Sequence, residues 1–375
     1  MTAGDINILS IAPYVFLPLK NGGHQAIAKL HHHIGLHCND HIVSTDNNAD
    51  SSFSFKLHKI FPNKKHRYLP GYGIKSMLRI AKEINCTHII CEHPYMAISA
   101  ATMAKKLGVP WYIRSHNIES QRFKDLGKPW WPALAKYERY AMQKADGVFF
   151  ITQEDADWAA RHYDLPADKC HLVLFGCDLQ AIPPGHDEAK QQLAAELKIP
   201  ADMPWLYFLG ALDYPPNEQA VRYIVNEIQP RLKKAGIPHE ILIGGKGLDE
   251  SLQQQIAGTP NIQTLGFVQD LDIFLKSCDI MLNPVLKGGG IKTKAVEALG
   301  YNKTVVSSVS GAAGLVPALC GSNLLLADDN NWDNFAEKVI HAIKNPAETP
   351  PSFYSAYYHG AIAQKVIDIM LKDAR

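Results

Sequence analysis

Short apolar runs alternate with longer amphipathic segments from the first residues of this chain to the last, and that alternation limits the fold more than any single residue does. A strand covered on both faces reads as a continuous apolar run, and a parallel neighbour can be reached only through a crossover. The pattern therefore predicts an α/β protein of doubly wound parallel sheets with helices on both faces. In the first half the expected strands are 6–12, 41–44, 88–92, 111–115, 147–151 and 171–174, with helical spacing of apolar residues over 97–107 and 132–145. The pattern breaks at Ile182-Pro183-Pro184-Gly185, which reads as a linker. It restarts with expected strands at 205–210, 240–244, 262–265, 280–284, 304–307 and 323–327. A chain of 375 residues exceeds what one hydrophobic core usually organises. Two Rossmann-like domains facing across a cleft are expected, 1–180 and 181–350, with 351–375 forming a C-terminal helix that packs back toward the first domain.

Charge and composition exclude several classes. Residues 51–150 carry 17 basic against 6 acidic residues, a surplus of 11, while 181–375 carry 17 against 21. Such asymmetry is not the uniform basic face of a nucleic-acid binder, so no nucleic acid is expected as a partner. The start of the chain holds Asp5, no basic residue before Lys20, and Pro13 and Pro18 within its apolar run, which fits neither a signal peptide nor a membrane span. The cysteines number seven, with no Cys-x-x-Cys pair, so reduced thiols and a cytoplasmic setting are expected. Successive helix residues point about 100° apart, so the run His31-His32-His33 cannot converge on one ion, and no metal site is expected.

The densest chemistry lies in Asn283-Pro-Val-Leu-Lys-Gly-Gly-Gly-Ile-Lys-Thr-Lys-Ala-Val-Glu-Ala-Leu-Gly300. A strand ends at Pro284, three glycines follow, and a helix is expected to open near Ile291. Glycines let backbone approach a ligand closely, and the free amides of a first helical turn favour an anion, for which a diphosphate is the natural guest. Lys292 and Lys294 add positive charge, and Lys294 shares a helix face with Glu297. Glu297 can accept hydrogen bonds from both hydroxyls of a ribose, which suits a nucleotide. The bland alternative is a Gly-rich loop with a surface Lys294–Glu297 ion pair. Neither Gly-x-Gly-x-x-Gly after the first strand nor a Gly-x-x-x-x-Gly-Lys-Ser/Thr loop is present, so hydride transfer and nucleoside triphosphate hydrolysis are disfavoured.

Together with Phe208-Leu-Gly-Ala-Leu-Asp-Tyr-Pro-Pro-Asn217, Leu265-Gly-Phe-Val-Gln-Asp270, Gly311-Ala-Ala-Gly-Leu315, Asn21-Gly22-Gly23, Arg114-Ser-His-Asn-Ile-Glu119 and Thr152-Gln-Glu-Asp155, this segment resembles the retaining glycosyltransferases of family 4 (glycosyl transferases group 1), over nearly the whole chain. The resemblance implies the two-domain GT-B fold and a hexosyltransferase that uses a nucleoside-diphosphate sugar, with retention and without a metal or other cofactor. It implies that Glu297 holds the ribose, that Lys294 or Lys292 meets the diphosphate, and that His116 lies beside the reacting sugar and acceptor. Gly22 and Gly23 would form a loop approaching the donor phosphates. Asn117, Glu119, Gly210, Asn217, Lys246, Gly288, Gly289, Gly290 and Ile291 complete the expected substrate contacts. Two positions depart from the pattern: the family's Glu-x7-Glu pair has Gly289 as its first member here, and its Arg after the Phe-x-Gly strand is Ala211, with the usual lysine partner falling at Asn217. For His116, the alternative is a histidine satisfied by backbone at a strand end, although its loop position favours exposure. Glu119 also reads as an acid in a helix's first turn.

Two further readings stand beside a transferase acting on a glycan or lipid-linked acceptor. A sugar-nucleotide epimerase on the same plan needs acids and histidines converging on the sugar ring. A catalytically inactive sugar-nucleotide-binding homologue is suggested by Gly289 and Ala211. Finally, Arg122-Phe-Lys-Asp-Leu-Gly-Lys-Pro-Trp-Trp-Pro and Lys136-Tyr-Glu-Arg-Tyr140, extended by Tyr68, Tyr72, Lys75 and Arg79, interleave cations with aromatics. Such a surface suits peripheral contact with the inner face of an anionic membrane, unless Trp130 and Trp131 pack inward.

Overall fold

The structure, a computed structural model, describes residues 2–287 and 290–373. It divides into two compact units, one of residues up to Gly176 together with those from His359 onward, the other Cys177–Tyr358. The first unit is built on a seven-stranded parallel sheet in the order β3-β2-β1-β4-β5-β6-β7, from β1 (Asn7–Ala12), β2 (Asn39–Thr45), β3 (Lys56–Phe61), β4 (His88–Glu92), β5 (Trp111–Ser115), β6 (Gly147–Phe150) and β7 (Cys170–Leu172). The second is built on a six-stranded parallel sheet in the order β10-β9-β8-β11-β12-β13, from β8 (Trp205–Leu209), β9 (Glu240–Gly244), β10 (Ile262–Gly266), β11 (Ile280–Asn283), β12 (Thr304–Ser308) and β13 (Leu324–Ala327). Two Rossmann-like parallel-sheet domains are thus what the alternating pattern encodes.

The reason lies in the strands themselves. Every residue of β4, β5, β9 and β12 is buried, as a strand covered on both faces requires. In each sheet the strand order reverses once, between β1 and β4 in the first unit and between β8 and β11 in the second. At such a switch point the neighbouring crossovers leave in opposite directions, and a crevice opens beyond the carboxyl ends of the strands.

One strand went unread. β3 pairs with β2 at the sheet edge, with His41 opposite Lys56 and Val43 opposite His58. Its sequence Lys-Leu-His-Lys-Ile-Phe carries the cations that protect an open edge, and only Phe61 is fully covered, so no apolar run announced it.

Two boundaries differ from expectation. The first falls at Gly176/Cys177 rather than after residue 180, and the tail after 350 is two helices instead of one. Pro351–Tyr357 belongs to the second unit, because Phe353, Tyr354 and Tyr357 are buried there, Tyr354 Oη donates to Gly300 O at 3.0 Å and Val316 N donates to Tyr357 Oη at 3.0 Å. His359–Asp373 belongs to the first unit, packing on the helix Gly22–Gly35. His88 Nε2 donates to Met370 O at 3.0 Å and Tyr112 Oη donates to Asp373 Oδ2 at 2.9 Å. Ile367 and Val366 of that helix are wholly buried. Ile367→Ala is therefore expected to lower the stability of the first unit by about 2–4 kcal/mol through lost burial and a residual cavity. Urea denaturation checks this, and an unchanged midpoint would contradict the docking.

Candidate active site

In the second unit the Gly-rich segment leaves the sheet at its switch point. Asn283 ends β11, and its Nδ2 donates to Ser307 Oγ at 2.9 Å and to Gly311 O at 2.9 Å, while Ser308 Oγ donates to Val285 O at 2.7 Å. These bonds hold the strand end against the turn at Gly311, where a Cβ would stand 2.8 Å from Asn283 O. Gly288 and Gly289 lie outside the described residues. Gly290 has φ +71°, a left-handed conformation in which a side chain is strained. The helix is Thr293–Gly300, so it opens two residues beyond Ile291. Lys292 has ψ +89° and stands as the N-cap outside the helix, its Nζ donating to Gly290 O at 3.2 Å. Burial lowers its pKa from the usual lysine value. Lys294 Nζ donates to Glu297 Oε2 at 2.8 Å, both side chains partly exposed. An exposed pair of this kind is worth roughly 0.5 kcal/mol, so an incoming anion can take the ammonium at small cost.

Beside it, at the end of β8, Gly210 N donates to Gly244 O at 3.1 Å, and a Cβ on Gly210 would meet Asn217 Nδ2 at 2.7 Å. Asn217 Nδ2 donates to Ala211 O at 2.9 Å, so this residue ties the loop after β8 to itself. Lys246 is exposed, with its Nζ 4.5 Å from the centre of the Phe267 ring.

In the first unit the crevice beyond β1, β4 and β5 is lined by charge. Glu92 ends β4 with no solvent exposure. Its Oε2 lies 2.6 Å from His116 Nε2 and 3.5 Å from Arg114 Nη1, and its Oε1 lies 3.0 Å from His31 Nε2. The other His31 nitrogen, Nδ1, lies 2.7 Å from Asp40 Oδ2. Carboxylates can only accept, so both His31 nitrogens carry protons and the ring is an imidazolium. Burial alone would lower the His31 pKa, but Asp40 and Glu92 outweigh it and raise it from 6.5 to about 9. For Glu92 burial pushes upward, and Arg114, His116 and His31 overcome it to hold the carboxyl well below its ordinary value. Two buried carboxylates thus face two buried cations, His31 and Arg114.

His116, the residue after β5, is only 7% exposed, which corrects the expectation that its loop position would leave it open. Burial, and then the neighbouring His93, lower its pKa despite Glu92, so it is neutral. Its Nε2 proton is donated to Glu92, which leaves Nδ1 as the acceptor nitrogen. His93 has φ +62° and ψ +161°, a region costly for any residue with a side chain. That backbone turn stacks its ring on His116, centroids 4.2 Å apart, and sets its Nδ1 3.2 Å from Glu119 Oε1, though not aligned for a hydrogen bond.

Glu119 opens the helix Glu119–Asp125, as its first-turn reading required, yet it is fully buried. Tyr95 Oη donates to its Oε2 at 2.6 Å and Arg122 Nη1 at 2.9 Å. Burial raises its pKa, but His93, Tyr95 and Arg122 prevail and bring it to about 2. The free amides of Glu119 and Ser120 donate to the buried Glu138 carboxylate at 2.8 and 3.0 Å, which caps that helix from another. Asn117 is half-buried, its backbone oxygen accepting from Ser115 Oγ at 2.8 Å. Gly22 and Gly23 are not a loop: they form the first turn of the helix Gly22–Gly35, capped by Asn21, whose Oδ1 accepts from His24 N at 3.0 Å. Arg114 Nη1 donates to Ala26 O of that helix at 2.7 Å. The structure thus gathers His116, Asn117 and Glu119 in one unit and Gly210, Asn217, Lys246, Gly290, Ile291, Lys292, Lys294 and Glu297 in the other.

Glu92, His93, His31 and Asp40 were not found from sequence. A signal existed for Glu92, since an acid closing the apolar run His88–Glu92 must be paired if that run is a buried strand. The three histidines of the 31–33 run take different partners: His31 joins this cluster, His32 Nδ1 accepts from Ser54 N at 3.1 Å, and His33 stacks on His359, with the His32 and His33 rings edge to face. Among the described residues no group of His, Cys, Asp and Glu is arranged to hold a metal, and none of the cysteines is paired.

A group whose pKa rises on folding stabilises the fold below its unfolded value and loses that contribution as pH climbs to the folded one. The stability of the first unit is therefore expected to fall between pH 6.5 and about 9 as His31 deprotonates. The decline should flatten in His31→Asn, and identical pH profiles for the two proteins would refute the assignment. Glu92→Gln, which leaves Arg114 and His31 buried with half their partner, should cost about 3–5 kcal/mol in urea unfolding.

Comparison with known proteins agrees with this architecture unit by unit. Residues 24–181 match the model described as Glycosyltransferase Family 4, and residues 203–345 match the model Glycosyl transferases group 1. An uncharacterized 44.6 kDa protein in the cps region of Klebsiella pneumoniae is 28% identical over 305 residues, covering 76% of this chain and 72% of that protein. The alpha-D-kanosaminyltransferase of Streptomyces kanamyceticus is 25% identical over 185 residues, covering 46% of this chain and 45% of that one. Among solved structures, Anabaena HepE in complex with UDP superposes with a TM-score of 0.67 at 16% identity, covering 98% of each chain, a likeness of fold. Two parallel-sheet units, each matched in order by a glycosyltransferase domain, place the chain among the glycosyltransferases of GT-B fold.

Proposed function

We propose that the protein moves a hexosyl group from a nucleoside-diphosphate sugar to a hydroxyl of a glycan or lipid-linked acceptor, with retention and without a metal ion or other cofactor. The observation that carries this reading is the pair Lys294 and Glu297 on the opening turns of a helix at the sheet's switch point, next to Lys292 and the Gly-rich segment. In this reading Glu297 accepts from the ribose hydroxyls and releases Lys294 to the diphosphate. The bond from the anomeric carbon to the diphosphate oxygen breaks as a bond to the acceptor oxygen forms on the same face. The acceptor's proton passes to the departing diphosphate, whose charge the lysines and helix amides neutralise. Gly289 stands where the family pattern has a glutamate, whose work on the sugar falls in this reading to other groups of the donor pocket, among them Gly210, Asn217, Lys246, Gly288, Gly290 and Ile291. His116, Asn117 and Glu119 serve the acceptor and the sugar, and the helix start at Gly22 and Gly23 serves the donor phosphates.

The complex of HepE with UDP makes uridine diphosphate the first ligand to test. In a thermal-shift panel of nucleoside diphosphates and their sugars, at least one is expected to raise the melting temperature by mass action. The shift should vanish in Lys294→Ala and Glu297→Ala, together with slow hydrolysis of the matching sugar nucleotide. A shift without hydrolysis would point to a binding homologue, and no shift with any nucleotide would refute the donor site.

The setting we propose is polysaccharide biosynthesis in the cytoplasm, with peripheral contact at an anionic membrane. Among the described residues no helix is long and apolar enough to cross a membrane. Trp130 and Tyr140 are about half exposed, and Lys124 Nζ lies 5.0 Å from the centre of the Trp131 ring, an arrangement suited to an interface. Cosedimentation with anionic liposomes should fall several-fold in a Trp130/Trp131/Lys128 triple alanine variant, and equal partitioning would end this part of the reading.

A further inference from the structure

The first unit contains a cavity of about 640 Å³, whose lining shares Trp130 and Tyr68 with the cationic aromatic surface described above. Tyr68, Tyr95, Phe123, Trp130, Leu134 and Tyr137 form most of its wall, with Ile98 and Lys65 at its border. The three tyrosines enter it as hydrocarbon, because each hydroxyl is already engaged elsewhere. Tyr137 Oη donates to Pro94 O at 3.0 Å, Tyr95 Oη to Glu119 Oε2 at 2.6 Å and Tyr68 Oη to Pro13 O at 3.3 Å. A sugar placed here would lose water from its hydroxyls without gaining partners, whereas an alkyl chain would gain by leaving water. Charge chooses among alkyl ligands. Among the described residues Lys65 is the one charged residue of the lining, and no acid lines the wall. An anionic amphiphile fits both features.

The cavity adjoins the histidine pair through Tyr95. That ring stacks on His93 with centroids 5.5 Å apart, and His93 stacks in turn on His116. The cavity wall thus stands two stacked rings from His116, and a ligand with its chain among the aromatics would hold its head group at Lys65. We infer that this cavity seats the hydrocarbon chain of an anionic, lipid-linked acceptor and so selects amphiphiles over free glycans. The inference rests on the transferase reading for its role but not for its occupant.

The test uses the full chain and dodecyl phosphate held below its micelle concentration, with inorganic phosphate and maltotriose as comparisons. Binding is followed by intrinsic fluorescence, since Trp130 is in the wall, and by calorimetry. Dodecyl phosphate should bind at least tenfold more tightly than inorganic phosphate. Ile98→Asp and Leu134→Asp, which put a carboxylate at the lining, should each weaken it tenfold or more, and Lys65→Ala several-fold. Ile98 is 37% exposed, so that variant keeps the fold even if the Leu134 variant does not, and circular dichroism verifies it. Equal binding of dodecyl phosphate and phosphate, unaltered binding in folded Ile98→Asp, or tighter binding of maltotriose would each overturn the proposal. Binding of dodecyl phosphate only to added vesicles, never as a monomer, would overturn it in favour of a membrane surface. Nucleotide thermal shifts are read in the same samples. Their loss with dodecyl phosphate binding intact would strike the donor reading and still support the cavity's occupant.

Discussion

A carboxylate with no access to water is the constraint around which the first unit is arranged. Glu92 could not sit at the end of β4 unless cations met it there, because an unpaired buried charge is far costlier than a lost hydrogen bond. Arg114 comes from the neighbouring strand, directly across the ladder from Glu92, and His31 from the helix Gly22–Gly35. Asp40 from β2 completes the balance. Four elements are thus pinned at one point by a charge-neutral cluster, and His116 takes its orientation from the same carboxylate. Fixing the Nε2 proton on Glu92 presents a neutral imidazole with its acceptor nitrogen available, which is the form that can receive a hydrogen bond from a sugar or acceptor hydroxyl.

The second unit solves a different problem with neutral groups. Its Gly-rich segment must leave β11 without a side chain to anchor it, and Asn283, Ser307 and Ser308 supply bonds that hold the strand end to the Gly311 turn. Lys294 is left outside this scaffold, in one partly exposed ion pair with Glu297. Rigid support beneath and a cheaply displaced ion pair above are what a site needs if it is to bind and release a charged ligand.

Much of this was legible in the chain. The strands of the sheet interiors, such as 88–92, 111–115 and 240–244, announced themselves as short apolar runs, and the helix at 97–107 by its helical spacing of apolar residues. The edge strand β3 did not, because its lysines serve to keep its outer edge unpaired. The Lys294–Glu297 pair follows from helical spacing, which local geometry dictates. The two-residue error in where that helix begins is also local: Lys292 turns out of the helix as its N-cap.

What the sequence determined alone was everything set by period and composition: the fold class, the two-part organisation, the glycine segment at a strand end and the cationic surplus of the first half. What only the tertiary structure decided was which charges meet. Asp40, Glu92 and His116 are far apart along the chain, and nothing in their local spacing says that parallel strands will bring them within hydrogen-bond reach of one another's partners. The aromatic cavity has the same origin, since its wall is drawn from 65–70, 95–99, 123 and 130–137. Periodicity reports which face of an element is buried, but it cannot report what that face will touch, because contacts between distant elements depend on the order in which strands are laid side by side.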